Sequence, residues 1–230
     1  IDPQQRVFLE VCWEALEDGG YPPLGPQNIG VYAGCGMDTY TIQNVVPDAI
    51  KNGELVDLPV RLFNDKDYLT TRVSHKFNLT GPSINVNSAC STSLVAVVLA
   101  VKALRDGLCD MALAGGVSVD VPIRAGYRYV EGSMLAPDGH CRPFDSNAAG
   151  TLFNSGAGVV LLKPPENALQ DGDQVYATIR GVGLNNDGAN KSSFAAPSAA
   201  GQAQAIRMAL DDAGFSADSL DFVEAHGTGT

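Results

Sequence analysis

Apolar positions in the first eighteen residues recur at helical spacing: Val7, Phe8, Val11, Cys12, Ala15 and Leu16 form one stripe. Asp2-Pro3 supplies an N-cap followed by proline at the first helical position, and Gly19-Gly20 stops the run. A strand follows from Ile29 to Ala33, ending in Gly34-Cys35-Gly36. Residues 37–63 show no period and read as a long irregular surface segment. Asn64 to Asp67 resembles a capping box, and Leu69, Val73 and Phe77 mark the next helical face, with His75 on that helix as a surface residue. After Gly81-Pro82, Ile84 and Val86 read as a short strand. From Ser91 to Val101 the pattern is apolar nearly all round, which predicts a buried helix.

The second part is less regular. Met111 to Ala114 is a short strand closed by Gly115-Gly116, and Arg124 to Val130 reads as a short helix. Residues 131–151 carry no regular pattern, and a segment of that length in a compact domain is often functional; His140 reads as a solvated turn residue within it. Gly156 to Lys163 is a strong strand that Pro164-Pro165 breaks. A strand at Val175 to Val182, a loop at Asn185 to Ser198, a helix from Gly201 to Ala213 and a strand at Asp221 to Ala225 complete the series, ahead of His226-Gly-Thr-Gly-Thr230.

The pattern places Cys90 where a strand hands over to a helix. Unpaired N–H groups at a helix start carry partial positive charge, which suits a nucleophilic thiol and can stabilise an oxyanion. The arrangement resembles the nucleophile elbow of serine hydrolases, with cysteine and without Gly-x-Ser-x-Gly. The competing reading is a small thiol filling a core gap. Gly34-x-Gly36 suggests a dinucleotide loop, but Thr39 stands where the third glycine belongs.

Composition narrows the classes. The 230 residues are 45% hydrophobic with 25 glycines, enough for a globular core. No apolar run is long enough to span a bilayer. A net charge of −11 argues against nucleic acid or an anionic membrane as partner. The five cysteines have neither disulfide-framework nor metal-site spacing, so no metal is expected and a reducing cytoplasm is.

Two stretches echo one another: Ala15-Leu-Glu-Asp-Gly-Gly-Tyr21 and Ala209-Leu-Asp-Asp-Ala-Gly-Phe215. Each ends a helix and precedes a short strand that stops in a glycine-rich loop, which suggests two α/β halves of one plan. In such sheets sites form at strand carboxyl ends where halves meet. Cys90 and His226 both lie at such ends, one from each half, and a Cys–His pair sharing one tunnel is the expectation.

Asp2-Pro-Gln-Gln-Arg6, Asn87-Ser-Ala-Cys90-Ser-Thr-Ser-Leu94, Pro137-Asp-Gly-His-Cys-Arg-Pro-Phe-Asp145, Gly156-Ala-Gly-Val-Val-Leu-Leu-Lys163 and Glu224-Ala-His226-Gly-Thr-Gly-Thr230 resemble, in order and spacing, the signature stretches of ketosynthase domains of modular polyketide synthases, in the β-ketoacyl synthase family. The resemblance covers the whole chain. It implies a thiolase-like α/β fold, duplicated and layered α-β-α-β-α, here truncated at both ends. It divides the chain into an N-terminal half, 1–165, with the nucleophile, and the start of a C-terminal half, 166–230, with the first catalytic histidine.

The resemblance also implies chemistry: decarboxylative Claisen condensation between an acyl thioester on Cys90 and a malonyl-type extender. His226 would assist decarboxylation, and Thr228 and Thr230 would bind the pantetheine arm. The Cys90 backbone N–H would form half of an oxyanion hole, and Glu224 would position the loop. No cofactor would bind directly; the phosphopantetheine arm arrives on an acyl carrier protein. A homodimer of the full-length protein is implied. The family's second histidine and its lysine lie beyond the motif at Thr230, so the chain by itself is expected not to condense, though it would acylate. Asn87-Ser88 and Thr151-Leu-Phe-Asn-Ser-Gly156 depart from the common pattern and bear on acyl specificity. The alternatives are a non-catalytic dimer scaffold of the same fold and a thiolase-type acyltransferase.

Overall fold

The computed structural model describes residues 1–22, 25, 27–54 and 57–230. Its centre is a four-stranded sheet in the order β2-β1-β3-β4, built from β1 (Ile29–Cys35), β2 (Ser83–Asn85), β3 (Met111–Ser118) and β4 (Gly156–Leu162). β1 runs parallel to both neighbours, with Val31 opposite Ser83 and Leu113, and β4 closes one edge antiparallel to β3.

Helices cover both faces. α1 (Pro3–Asp18) and α4 (Leu69–Phe77) bury Phe8, Cys12, Leu16, Val73 and Phe77 against Ile29, Val31 and Leu113. α5 (Thr92–Arg105) covers the opposite face, where Ala96, Ala100 and Ala103 meet Tyr32, Ala112 and Ala114. β1 and β3 are therefore buried on both sides, as parallel strands between helices must be. Asp2 caps α1 as its sequence suggests: the carboxylate accepts from the Gln4 N–H at 2.9 Å.

The structure revises several expectations. Residues 37–63 are not irregular throughout. They hold a π-helical turn at Thr41–Val45, α2 (Val46–Lys51) and α3 (Leu58–Asn64), while Leu55 and Val56 lie outside the described residues. The π turn runs straight into α2 and breaks the 3.6-residue period, while α3 is too short for a period to register and is capped by Asp57 through the Val60 N–H. Before α4 the capping residue is Asp65, on a short 3-10 turn, while Asn64 ends α3. β3 runs on through Gly115-Gly116 because β4 passes so close that a Cβ on Gly115 would stand 2.0 Å from the Gly158 carbonyl oxygen. Arg124 to Val130 forms no helix. Pro165 opens a short helix, α6 (Pro165–Asp171), by occupying its first position.

α5 is not buried all round. One flank meets the sheet, whereas Leu94 is 68% exposed. Val175 to Val182 and Asp221 to Ala225 are also not strands here, since neither joins the sheet. Their apolar side chains Tyr176, Phe222 and Val223 stay exposed. Both segments have the β propensity of strands, but a strand also needs a partner.

The internal echo has a geometric counterpart. α1 and α7 (Ala199–Ala213) end alike: Tyr21 N–H donates to Leu16 C=O at 2.9 Å and Phe215 N–H to Leu210 C=O at 3.1 Å. Both are the long bond of a Schellman stop. A cation lies beside the aromatic residue in each case, though differently: Lys163 Nζ donates to the Tyr21 hydroxyl, whereas the Arg180 guanidinium lies 5.3 Å from the Phe215 ring centre.

Candidate active site

Cys90 sits in a 3-10 turn, Ala89–Ser91, between β2 and α5. Val86 N–H still bonds to the Ala33 carbonyl at 2.8 Å, holding the strand end against β1. The chain then turns sharply. Ala89 adopts φ +48°, a left-handed conformation that a residue with a Cβ rarely takes. Serine and threonine hydroxyls lock the turn: Thr92 Oγ1 accepts from Ser88 N–H at 2.9 Å, and Ser91 Oγ donates to Ser88 C=O at 2.8 Å.

The turn is seated on small residues. A Cβ at Gly34 would lie 2.0 Å from the Val86 carbonyl oxygen and 2.4 Å from Thr92 Cγ2. Glycine there lets the end of β1 press directly under the cysteine turn. The first glycine of the Gly34-x-Gly36 pair thus serves close packing, and the dinucleotide alternative lacks its third glycine, Thr39 standing in that place.

Cys90 is exposed and lines a cavity of about 1360 Å³ at the carboxyl ends of the parallel strands. Met37, Val60, Phe153 and Ala157 contribute apolar surface, with Asp38, Asn64, Lys66 and Asn154 among the polar groups. Cys35 lines the same cavity, but burial pushes its thiol up to about 12. Cys12 is a sealed core thiol. Cys90 is therefore the cavity's exposed thiol.

His226, Thr228 and Thr230 lie together on the last loop, and none of them lines the cavity. The Thr228 and Thr230 hydroxyls are 2.8 Å apart. The 131–151 segment carries this loop: Gly150 N–H donates to the Gly229 carbonyl at 3.0 Å, and Cys141 Sγ donates to the Thr228 carbonyl at 3.2 Å. That same segment continues to Phe153 and Asn154 in the cavity wall, so at most about 10 Å of chain separates the loop's anchor at Gly150 from the wall. Sequence reasoning missed Cys141; its position within Pro137–Asp145 was the available signal. His75 is an exposed helical residue, and His140 an exposed turn residue whose Nδ1 lies 2.9 Å from the Asp138 carbonyl.

An exposed thiol thus stands on a strained turn at the carboxyl end of an α/β sheet covered on both faces, and comparison with known proteins says which family shares that plan. The profile of the β-ketoacyl synthase N-terminal domain matches residues 1–168, and that of the C-terminal domain matches residues 176–230. The chain belongs to the β-ketoacyl synthase family.

Its relatives are polyketide synthases. It is 48% identical over its whole length to a phenolphthiocerol/phthiocerol polyketide synthase of Mycobacterium tuberculosis, and 39% identical to polyketide synthase PksL of Bacillus subtilis. It spans 16% and 5% of those two proteins. Among solved structures it is similar to ketosynthase twelve of the bacillaene polyketide synthase of Bacillus amyloliquefaciens, with a TM-score of 0.88 and 38% identity. The Streptomyces albus oxazolomycin ketosynthase domain OzmH KS7 gives 0.86 and 36%. All of this chain and 40% of each of those chains are covered. The fold is thus the thiolase-like ketosynthase fold, of which the described residues hold one open sheet.

Proposed function

We propose that the chain is part of a ketosynthase that extends polyketide chains by decarboxylative Claisen condensation. The observation that carries this reading is Cys90 itself: an exposed thiol at the start of α5, on a strained turn, opening into a large and mostly apolar cavity. Its thiolate attacks the carbonyl of an incoming acyl thioester, the C–S bond to the pantetheine sulfur breaks, and the acyl group passes to Cys90. The Cys90 backbone N–H offers one donor to the developing oxyanion.

A malonyl-type thioester then loses CO₂, and the resulting carbanion attacks the Cys90 thioester. A C–C bond forms and the Cys90 sulfur leaves as thiolate. His226 assists decarboxylation, Thr228 and Thr230 hold the pantetheine arm, and Glu224 steadies the loop between them. The division into halves at 165/166 fits this assignment, with nucleophile and histidine on different halves. The partners are an acyl carrier protein bearing phosphopantetheine and a second copy of the ketosynthase, in the cytoplasm. Among the described residues no helix is long and apolar enough to cross a membrane.

The test is acylation. The full-length protein, incubated with an acyl thioester, should gain one acyl mass on the Cys90 peptide, and C90A should gain none there. It should also release CO₂ from a malonyl carrier protein, and H226A should release it far more slowly. An acyl mass that persists in C90A overturns the assignment.

A further inference from the structure

Besides the cysteine turn and the 153–158 segment, the cavity wall includes residues 36–41 after β1, 60–66 around the end of α3, and 116–120 at the end of β3. These loops could drift apart. Two consecutive glutamines from the first turn of α1 reach into the junctions between them, and both are buried, Gln4 at 0% exposure and Gln5 at 1%.

We infer that Gln4 and Gln5 are positioning residues that set the shape of the Cys90 cavity and so its tolerance for acyl-chain length, an inference that rests on the ketosynthase reading for the identity of the guest. Gln4 Nε2 donates to Asp2 Oδ2 at 3.0 Å and to the Met37 carbonyl at 3.4 Å. Its Oε1 accepts from the Val119 N–H at 3.3 Å. One amide thus joins the loop after β1 to the end of β3. Gln5 Nε2 donates to the Asp65 carbonyl at 3.0 Å, and its Oε1 accepts from Arg72 Nε, whose guanidinium also donates to the Leu62 carbonyl. The second amide thus fixes the end of α3.

The chemistry demands an amide. A glutamine amide offers donor and acceptor from one rigid plane at the end of a three-carbon reach, so each side chain can hold two groups at once. Glutamate could not donate to Met37 or Asp65, and at position 4 it would face the buried Asp2 carboxylate. The second glycine of Gly34-x-Gly36 belongs to the same device. A Cβ on Gly36 would stand 3.1 Å from Gln4 Oε1 and 2.7 Å from Ser118 Oγ, so a larger residue would push the amide out of its seat.

The test uses Q4M and Q5M in the full-length protein, since methionine keeps the length and removes the amide. Two readouts separate the inference from the reading beneath it. The first is amide hydrogen exchange. Q4M should raise exchange about tenfold in residues 37–41 and 119–121, and Q5M in 62–66, with β1 and β3 unchanged. The second is Cys90 acylation by acetyl and decanoyl thioesters of N-acetylcysteamine. The decanoyl-to-acetyl rate ratio should shift about fivefold or more while acetyl transfer stays within about twofold. Unchanged loop exchange, or both rates falling in parallel, overturns the inference. If the wild type accepts no acyl group on Cys90, the ketosynthase reading fails, and the exchange readout still decides whether the amides hold the loops. If Q4M does not fold, Q5M decides alone, because it ties a different pair of segments.

Discussion

Arg105, in the last turn of α5, grips Asp212, in the last turn of α7, through two hydrogen bonds of 2.9 and 2.8 Å from one guanidinium nitrogen. Asp212 also accepts from the Val182 N–H at 2.8 Å. One carboxylate therefore pins α7 and the 180–182 segment to the helix that begins beside Cys90. The Arg105 and Val182 bonds hold its carboxyl below the usual value of 3.8. The folded-state value is depressed, so the stabilisation is full above pH 3.8 and is lost as pH falls through the lowered value. D212N should lower the urea midpoint near neutral pH, and its deficit against the wild type should vanish in acid. A deficit that is constant with pH would mean that the pair does not contribute through its charge.

G34A tests the seat of the cysteine turn. The added methyl collides with backbone at Val86, which cannot yield as a flexible side chain would. A loss of about 1–3 kcal/mol is expected from denaturant melts, together with slower alkylation of Cys90.

The strain at Ala89 makes a different prediction. A89G relieves a left-handed residue worth about 1–2 kcal/mol, against roughly 0.4–1 kcal/mol of added chain entropy in the unfolded state. Its stability should match or slightly exceed the wild type. A89V, β-branched at positive φ, should be the less stable by about 1–3 kcal/mol. Thermal melts of the two variants would check the order.

Thiol reactivity should sort the five cysteines. Iodoacetamide followed by peptide mapping should label Cys90 and Cys141, both exposed, well before Cys12, Cys35 and Cys109. Burial raises the latter three thiols. Early labelling of Cys35 would contradict the described cavity wall.

The elements around Cys90 were legible because their signals are local: a proline-started helix, β-branched strands and a cysteine between strand and helix. What escaped was what depends on distant partners. α3 is held by its Asp57 cap and α2 continues a π-helical turn, and neither has a hydrophobic period of its own. Val175 to Val182 has the composition of a strand but no ladder to join. Leu94 belongs to an apolar helix, yet nothing in a one-dimensional pattern says which flank the sheet will take. The glutamines after Pro3 were recognisable as a signature, but their work is visible only once Met37, Asp65 and Val119 stand around them. The Cys90 position followed from the sequence, whereas the seating of the His226 loop on Cys141 and Gly150 did not.

The matched endings of α1 and α7 carry history. Two stretches nearly two hundred positions apart retain the same closing bond and an aromatic residue beside a positive side chain, though only four of their seven letters agree. A gene doubled long ago can drift in spelling while its stop signals persist, and those punctuation marks outlast the text they once separated.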